Sequence, residues 1–320
     1  MNVFSKDTTW KEVFDTPEFS PYIPYIAMFY DPAAPRRMEN LTLSCFGEVG
    51  GRGTAYGFNR LLENLKSGRK IVFPLSEADE KGKAAVLFHF PAIQKKSRKF
   101  ALVLAGGGYR FVCSASESFP IAARLSELGY ESFVLHYRCG EGYYAPAPLD
   151  DLSCAVRFIL DNRELFGVDT EGYSVIGLSA GAHLVATLGT DNLGYPVRNL
   201  PKPGMIGLAY PVITMGDLSH SGSREALFGP DHKEDPAMIE AYSIEKHVPP
   251  GYPPVFLWQC SRDSLVPIAN SQMMAKALEK NGVPFVYETY DSDVHGWGFA
   301  LGEEAEGWVD RAADFWEKQS

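Results

Sequence analysis

No stretch of about 18 uninterrupted apolar residues occurs in the 320-residue sequence, which argues against a membrane-spanning helix. The opening MNVFSKDTTWKEVF has no basic segment leading into an apolar run, so no signal peptide is expected and the cytoplasm is the default compartment. Basic residues are in the minority: 30 Lys and Arg stand against 40 Asp and Glu, a net charge of −10. Nucleic acid and anionic membrane surfaces both call for basic patches, so neither partner is expected. Cysteine is scarce. Cys45, Cys113, Cys139, Cys154 and Cys260 are an odd set without a C-x-x-C pair. That argues against a disulfide framework or a structural zinc site and for reduced thiols. No repeat and no low-complexity segment is present.

The chain carries an ordinary globular balance, 45% hydrophobic and 22% charged, and is long enough to bury a large core. It divides near residue 98. Residues 1–97 read as an N-terminal extension with weak periodicity. Trp10–Phe14 has the look of a short helix, and the proline-containing aromatic run Tyr22–Tyr30 of an extended segment. The glycine-rich Gly47–Gly57 reads as a loop, followed by a short helix over Phe58–Leu65. Lys70–Pro74 and Ala84–His89 read as a hairpin joined by the charged Glu77–Lys83, giving an antiparallel edge to the main sheet.

From residue 98 to 320, strand and helix signals alternate. Strands are predicted at Phe100–Ala105, Glu131–His136, Tyr173–Leu178, Met205–Val212, Pro254–Cys260 and Phe285–Tyr290. Helices are predicted at Ser116–Leu128, Leu149–Asn162, Ala180–Leu188, Pro267–Lys280 and Glu303–Trp316. Such alternation implies an α/β fold with a mainly parallel central sheet and helices on both faces. Ligands then belong at the carboxyl ends of the strands. The segment 214–251 interrupts the pattern, carries one predicted helix near Pro236–Tyr242, and is expected to form a cap over the pocket.

The chemistry centres on Gly177-Leu178-Ser179-Ala180-Gly181. A G-x-S-x-G match is weak alone. Here a strand runs directly into it and an apolar helix directly out, the strand–turn–helix context of a nucleophile elbow. A serine hydroxyl needs a base, and the base an orienting carboxylate. In this context the chain order is Ser, then Asp or Glu, then His. Asp263 follows the strand ending at Cys260, and His295 is the only one of seven histidines beyond it. Asp291 and Asp293 compete as the acid but sit too near His295 on its own loop. The glycines Gly296 and Gly298 suggest a mobile, exposed loop around His295. His183 lies four residues past Ser179 on the same helix and reads as a packed residue beneath the elbow. Acyl transfer also needs donors for the developing oxyanion. Gly106-Gly107-Gly108 follows the strand Phe100–Ala105 and supplies Gly107 and Gly108, with Ala180 as the third donor. GGGYRF matches neither phosphate-binding glycine pattern.

Taken together, GGGY at 106–109, LHYR at 135–138, P-x-P-L-x-D at Pro146–Asp151, GLSAGAHL at 177–184, YPVI at 210–213, DSLVP at 263–267 and HGWG at 295–298 resemble the esterase/lipase branch of the α/β-hydrolases. The likeness covers about Phe100 to Phe315 and is greatest to bacterial acetyl-esterase-like proteins grouped with xylan and feruloyl esterases. It implies an α/β-hydrolase fold, a triad on Ser179, Asp263 and His295, no metal or organic cofactor, and short acyl esters of a sugar or small alcohol as substrates. Homodimerisation enters by analogy alone. Two departures stand out: Ala105 precedes the three glycines where hormone-sensitive-lipase-like enzymes have His, and Ala182 replaces a glycine after the elbow. Tyr109, Tyr143 and Tyr144 are candidate aromatic substrate contacts, with ordinary packing as the competing role. A prolyl-oligopeptidase-type peptidase would share the triad, but 97 residues cannot build its N-terminal propeller of at least four four-stranded blades. A non-catalytic binding protein on this fold would have no need of a complete triad.

Overall fold

The computed structural model of the chain describes residues 3–27, 33–34, 36–77 and 84–319. The strands are β1 (Val72–Pro74), β2 (Val86–Phe90), β3 (Phe100–Leu104), β4 (Glu131–His136), β5 (Ser174–Leu178), β6 (Met205–Ala209), β7 (Val255–Cys260) and β8 (Phe285–Tyr290). They form one sheet in the order β1-β2-β4-β3-β5-β6-β7-β8. β2 runs antiparallel to both neighbours and every other pairing is parallel. The expected edge hairpin is therefore present. Its turn falls almost wholly on residues 78–83, outside the described residues.

The helices are α1 (Trp10–Phe14), α2 (Ile23–Ile26), α3 (Glu48–Lys66), α4 (Ser118–Leu128), α5 (Ala147–Asp161), α6 (Arg163–Phe166), α7 (Ala180–Gly189), α8 (Ser221–Phe228), α9 (Pro236–Tyr242), α10 (Ala269–Lys280) and α11 (Trp308–Glu317). Strand alternation divides the core in two. On β3, Phe100, Leu102 and Leu104 join one cluster with residues of α5, α6, α7 and α10. Ala101 and Val103 join the other, with residues of α1, α3, α4 and α11. All five β3 residues are buried, which explains the continuous apolar run in the sequence. The N-terminal residues are thus part of this second core layer and of the sheet.

Three local expectations fail, the first of them for a tertiary reason. The glycine-rich Gly47–Gly57 is not a loop: most of it lies in α3. A Cβ on Gly57 would come within 2.8 Å of Pro120 N and 3.0 Å of Phe119 C, so glycine lets α3 pack directly on the start of α4. Close packing here overrides the low helix propensity of glycine. Tyr22 onward is not extended: a 3₁₀ turn at Ser20–Tyr22 leads into α2, with prolines near the start of each. Residues 28–30 of that run lie outside the described residues. The final helix begins at Trp308 rather than Glu303. The insertion 214–251 holds the expected α9 and also α8, which the sequence pattern did not announce.

Two crossovers decide where a ligand can sit. From β3 the chain crosses to β4 on one side and then back to β5 on the other. That reversal opens a crevice at the carboxyl ends of β3 and β5. Gly106–Gly108 follow β3 and Ser179 follows β5.

Candidate active site

Ser179 sits between β5 and α7 with φ 53° and ψ −118°, a sparsely populated conformation for a non-glycine residue. Such backbone costs on the order of 1–3 kcal/mol and persists only where its surroundings hold it. Here they do. Ser179 N–H donates to Ala209 O at 2.9 Å, and its carbonyl accepts from Ala182 N at 3.1 Å and His183 N at 3.2 Å. A Cβ on Gly177 would meet Gly181 O at 2.3 Å, and one on Gly181 would meet Ala105 O at 2.4 Å. The flanking glycines are therefore steric requirements of this turn.

The structure brings Ser179, His295 and Asp263 together from three loops. His295 Nε2 lies 2.8 Å from Ser179 Oγ, and His295 Nδ1 lies 2.8 Å from Asp263 Oδ2. The Asp263 side chain is fully buried, whereas that of His295 is 21% exposed. Burial of a carboxylate is costly unless its oxygens are satisfied. Asp263 Oδ1 accepts from Leu265 N and Val266 N, both at 2.9 Å. Oδ2 accepts from Gln259 Nε2 at 2.9 Å as well as facing the imidazole. Gln259 is itself fixed: Nε2 also donates to Val266 O at 2.8 Å, and Oε1 accepts from Ser271 Oγ at 2.5 Å. Gln259 belongs to β7 and Ser271 to α10, so the rigid core aims the carboxylate.

Neither rival carboxylate reaches the imidazole. Asp291 pairs with Arg262 and Ser261 on the surface, its side chain 78% exposed. Asp293 contributes its backbone carbonyl to Ser264 N at 3.2 Å. The loop around His295 is exposed at Asp293 and Val294, as expected, and closely packed at its glycines. A Cβ on Gly296 would lie 2.4 Å from the Tyr210 ring, and one on Gly298 would lie 2.9 Å from Ser116 O. These glycines serve close approach.

The glycine loop after β3 lies against the serine. A Cβ on Gly106 would come within 2.8 Å of both Ser179 Cβ and Leu178 O. Gly107 and Gly108 take positive φ values of 124° and 62°. Among the described residues, none accepts a hydrogen bond from the N–H of Gly107, Gly108 or Ala180. These donors are available to a ligand, and Ala180 opens α7, whose N-terminal end favours negative charge.

The three candidate tyrosines have other surroundings. Tyr109 is 1% exposed and pairs through its hydroxyl with His183 Nδ1 at 2.8 Å. It walls a small apolar cavity with Leu149, Leu184, Leu227 and Tyr242, and Ser179 is not part of that wall. Tyr143 is buried and carries the Arg138 guanidinium 5.8 Å above its ring. Tyr144 is half-buried beside Gly229 of the insertion. His183 is fully buried, and its Nε2–H donates to Tyr242 O at 2.8 Å. Burial holds its pKa down to about 4, so it is neutral and structural.

Four contributors received no role from the sequence, although Tyr210 opens the quoted YPVI stretch. Gln259 is one. Glu117 accepts from Gly106 N at 2.5 Å, and Tyr210 lays its ring edge against His295 with centroids 5.0 Å apart. His220, in the insertion, bonds Ser223 Oγ at 2.8 Å, and a Cβ on Gly108 would lie 3.9 Å from its Cε1. Burial, and then the nearby His295 and Arg110, push its pKa down. The insertion thus borders the glycine loop. Two quoted motifs also meet: Asp151 Oδ1 accepts from Arg138 Nη2 at 2.6 Å, and Oδ2 from Arg138 N at 2.8 Å, tying the start of α5 to the end of β4. Among the described residues, no three His, Cys, Asp or Glu side chains converge as a metal site.

A strained serine between β5 and α7, in a sheet of this order, defines the α/β-hydrolase class. The family model described as BD-FAE matches residues 88–199. Over 220 residues the chain is 34% identical to endo-1,4-beta-xylanase B of Butyrivibrio fibrisolvens, covering 66% of this chain and 34% of that protein. Over 230 residues it is 29% identical to an acetylxylan esterase of Xylanibacter ruminicola, covering 71% of this chain and 46% of that one. The chain therefore spans between a third and a half of these relatives' length. An acetyl ester-xyloside bifunctional hydrolase from Caldicellulosiruptor lactoaceticus superimposes with a TM-score of 0.69 at 31% identity, covering 78% of this chain and 96% of that one. The chain belongs to the esterase family of the α/β-hydrolases. Among the described residues, no helix is long and apolar enough to cross a membrane.

Proposed function

We propose that the chain hydrolyses carboxylic esters through an acyl-Ser179 intermediate, acting on short acyl groups carried by a sugar or another small polar alcohol. One observation carries the reading: an unbroken relay runs from Asp263 through His295 to Ser179, with both contacts at 2.8 Å. His295 Nδ1–H donates to Asp263, leaving Nε2 to take the proton from Ser179 Oγ as it attacks the carbonyl carbon. The N–H groups of Gly107, Gly108 and Ala180 stabilise the oxyanion, a contribution worth about 10²–10³ in rate per donor. His295 then protonates the departing alcohol, and water repeats the sequence to free the acid. Asp263 stays ionised, orients the ring and stabilises the imidazolium.

The substrate class draws support from relatives named as an acetylxylan esterase and an acetyl ester-xyloside hydrolase. A fluorophosphonate probe should label the wild-type protein and fail to label Ser179→Ala. An unlabelled wild type, or label that survives the substitution, overturns the mechanism. A panel of p-nitrophenyl esters of rising acyl length, run beside acetylated xylo-oligosaccharides, tests the substrate. Preference for long acyl chains or for peptides overturns the acetyl assignment.

A further inference from the structure

Glu117 lies just before α4 and outside the relay of Ser179, His295 and Asp263. It keeps some exposed surface, but its carboxyl group is enclosed. Each oxygen meets a different part of the site. Oε2 accepts from Gly106 N at 2.5 Å, and Gly106 lies directly against Ser179. Oε1 accepts from Tyr210 Oη at 3.2 Å. Tyr210 follows β6 with φ 39°, and its ring packs edge-on against His295. Both glycines of the His295 loop rest on this same unit: Gly296 against the Tyr210 ring, and Gly298 against Ser116 O and, at 3.9 Å, Glu117 Cα.

We propose that Glu117 is a positioning residue for ester hydrolysis: one carboxylate locks the oxyanion loop through Gly106, seats the His295 ring through Tyr210, and sets a buried negative charge beside the imidazolium that forms. The inference rests on the serine-hydrolase reading. A loop of glycines has no side chains to hold it, so an external acceptor fixes its path. A buried charge close to a developing cation needs no reorganisation during reaction, the condition under which electrostatic stabilisation is most effective.

The surroundings are consistent with this role. Gly106 N–H after β3 and the Tyr210 hydroxyl after β6 bond the Glu117 carboxylate, and His295 after β8, Tyr137 after β4 and Cys113 on its own loop interact with it electrostatically. Facing His295 are Asp263, Ser179, Tyr210, Glu117 and His220. Burial raises the pKa of Glu117, while Gly106 N–H, His295 and the Tyr210 hydroxyl pull it back.

The test uses the purified 320-residue chain and p-nitrophenyl acetate. Glu117→Gln keeps the shape and an acceptor for Gly106 N–H, and removes the charge. kcat should fall about 10- to 10²-fold, below the loss of a whole oxyanion donor, with KM little changed. The acid limb of the kcat/KM profile should move to lower pH by about one unit, because a lost negative neighbour no longer favours the protonated base. A role confined to stability would lower Tm and leave that limb in place. Tyr210→Phe is the second variant and serves if Glu117→Gln does not fold. It keeps the charge and the Gly106 bond, so kcat should fall about 3- to 10-fold, the worth of one hydrogen bond, with the acid limb unmoved. Wild-type kcat in Tyr210→Phe, or an unmoved acid limb in folded Glu117→Gln, overturns the proposal. Turnover and fluorophosphonate labelling of wild type and Ser179→Ala run alongside. Failure there overturns the hydrolase reading and this inference with it, whereas failure of the Glu117 and Tyr210 arms alone overturns only the inference.

Discussion

Replacing Asp263 by asparagine should lower kcat for p-nitrophenyl acetate about 10⁴-fold in a protein that still folds. The structure supplies the reason. Oδ1 of Asp263 accepts from Leu265 N and Val266 N, so an asparagine must keep its oxygen there to avoid opposing two N–H groups. Its amide nitrogen then occupies the Oδ2 position, facing Gln259 Nε2 and His295 Nδ1. Gln259 cannot turn to accept from it, because Nε2 is committed to Val266 O and Oε1 to Ser271 Oγ. The opposed donors cost about 1–3 kcal/mol of stability, within what a folded domain withstands. His295 escapes the conflict only by moving its proton to Nε2. In that tautomer Nε2 has no lone pair for the Ser179 proton, and a 10⁴-fold loss corresponds to about 5.4 kcal/mol of barrier. Steady-state kinetics with thermal melts reads both quantities. Asp263→Asn within tenfold of wild-type kcat, or a larger loss in Asp291→Asn or Asp293→Asn, refutes the reasoning.

Other outcomes follow from single contacts. His183 is buried neutral with its pKa near 4, against 6.5 for the free side chain, so its folded-state pKa is depressed. An unfolded chain takes up a proton below about pH 6.5 that the native state refuses until about pH 4. Stability is therefore lost as pH falls through that window, by about 3 kcal/mol at most from this group. His183→Gln should lower Tm at pH 8, and the gap to wild type should narrow between pH 6.5 and 4. A gap constant with pH contradicts the assignment. Gly57→Ala should destabilise by about 1–3 kcal/mol in chemical denaturation, despite the gain in helix propensity, because the new Cβ meets the α4 backbone. A stabilised variant would show that α4 yields.

Much of this molecule can be read along the chain, for identifiable reasons. The strands β3 and β6 are legible because burial on both faces demands continuous apolar runs, and Phe100–Leu104 and Met205–Ala209 carry them from end to end. Ser179 is legible because its turn permits only small residues two places away on either side. Asp263 and His295 are legible by chain order. The first half of α3 was hidden because its Gly57 answers to Pro120 and Phe119, residues about 60 positions away. Tyr109 looked available beside the glycine loop, yet its hydroxyl is drawn inward to His183.

Local chemistry therefore points to the residues this chain brings to its candidate site: a serine on a strained turn, a carboxylate after β7, a histidine after β8 and a run of glycines after β3. Their distances depend on strand order, since β3 and β5 become neighbours only when the chain reverses across the sheet. The supporting partners Gln259, Glu117 and Tyr210 depend on it too. Glu117 bonds Gly106 across 11 residues and Tyr210 across 93, and Gln259 bonds Asp263 across a turn while Ser271 of α10 holds it; such side-chain contacts between elements leave no periodic trace in a sequence.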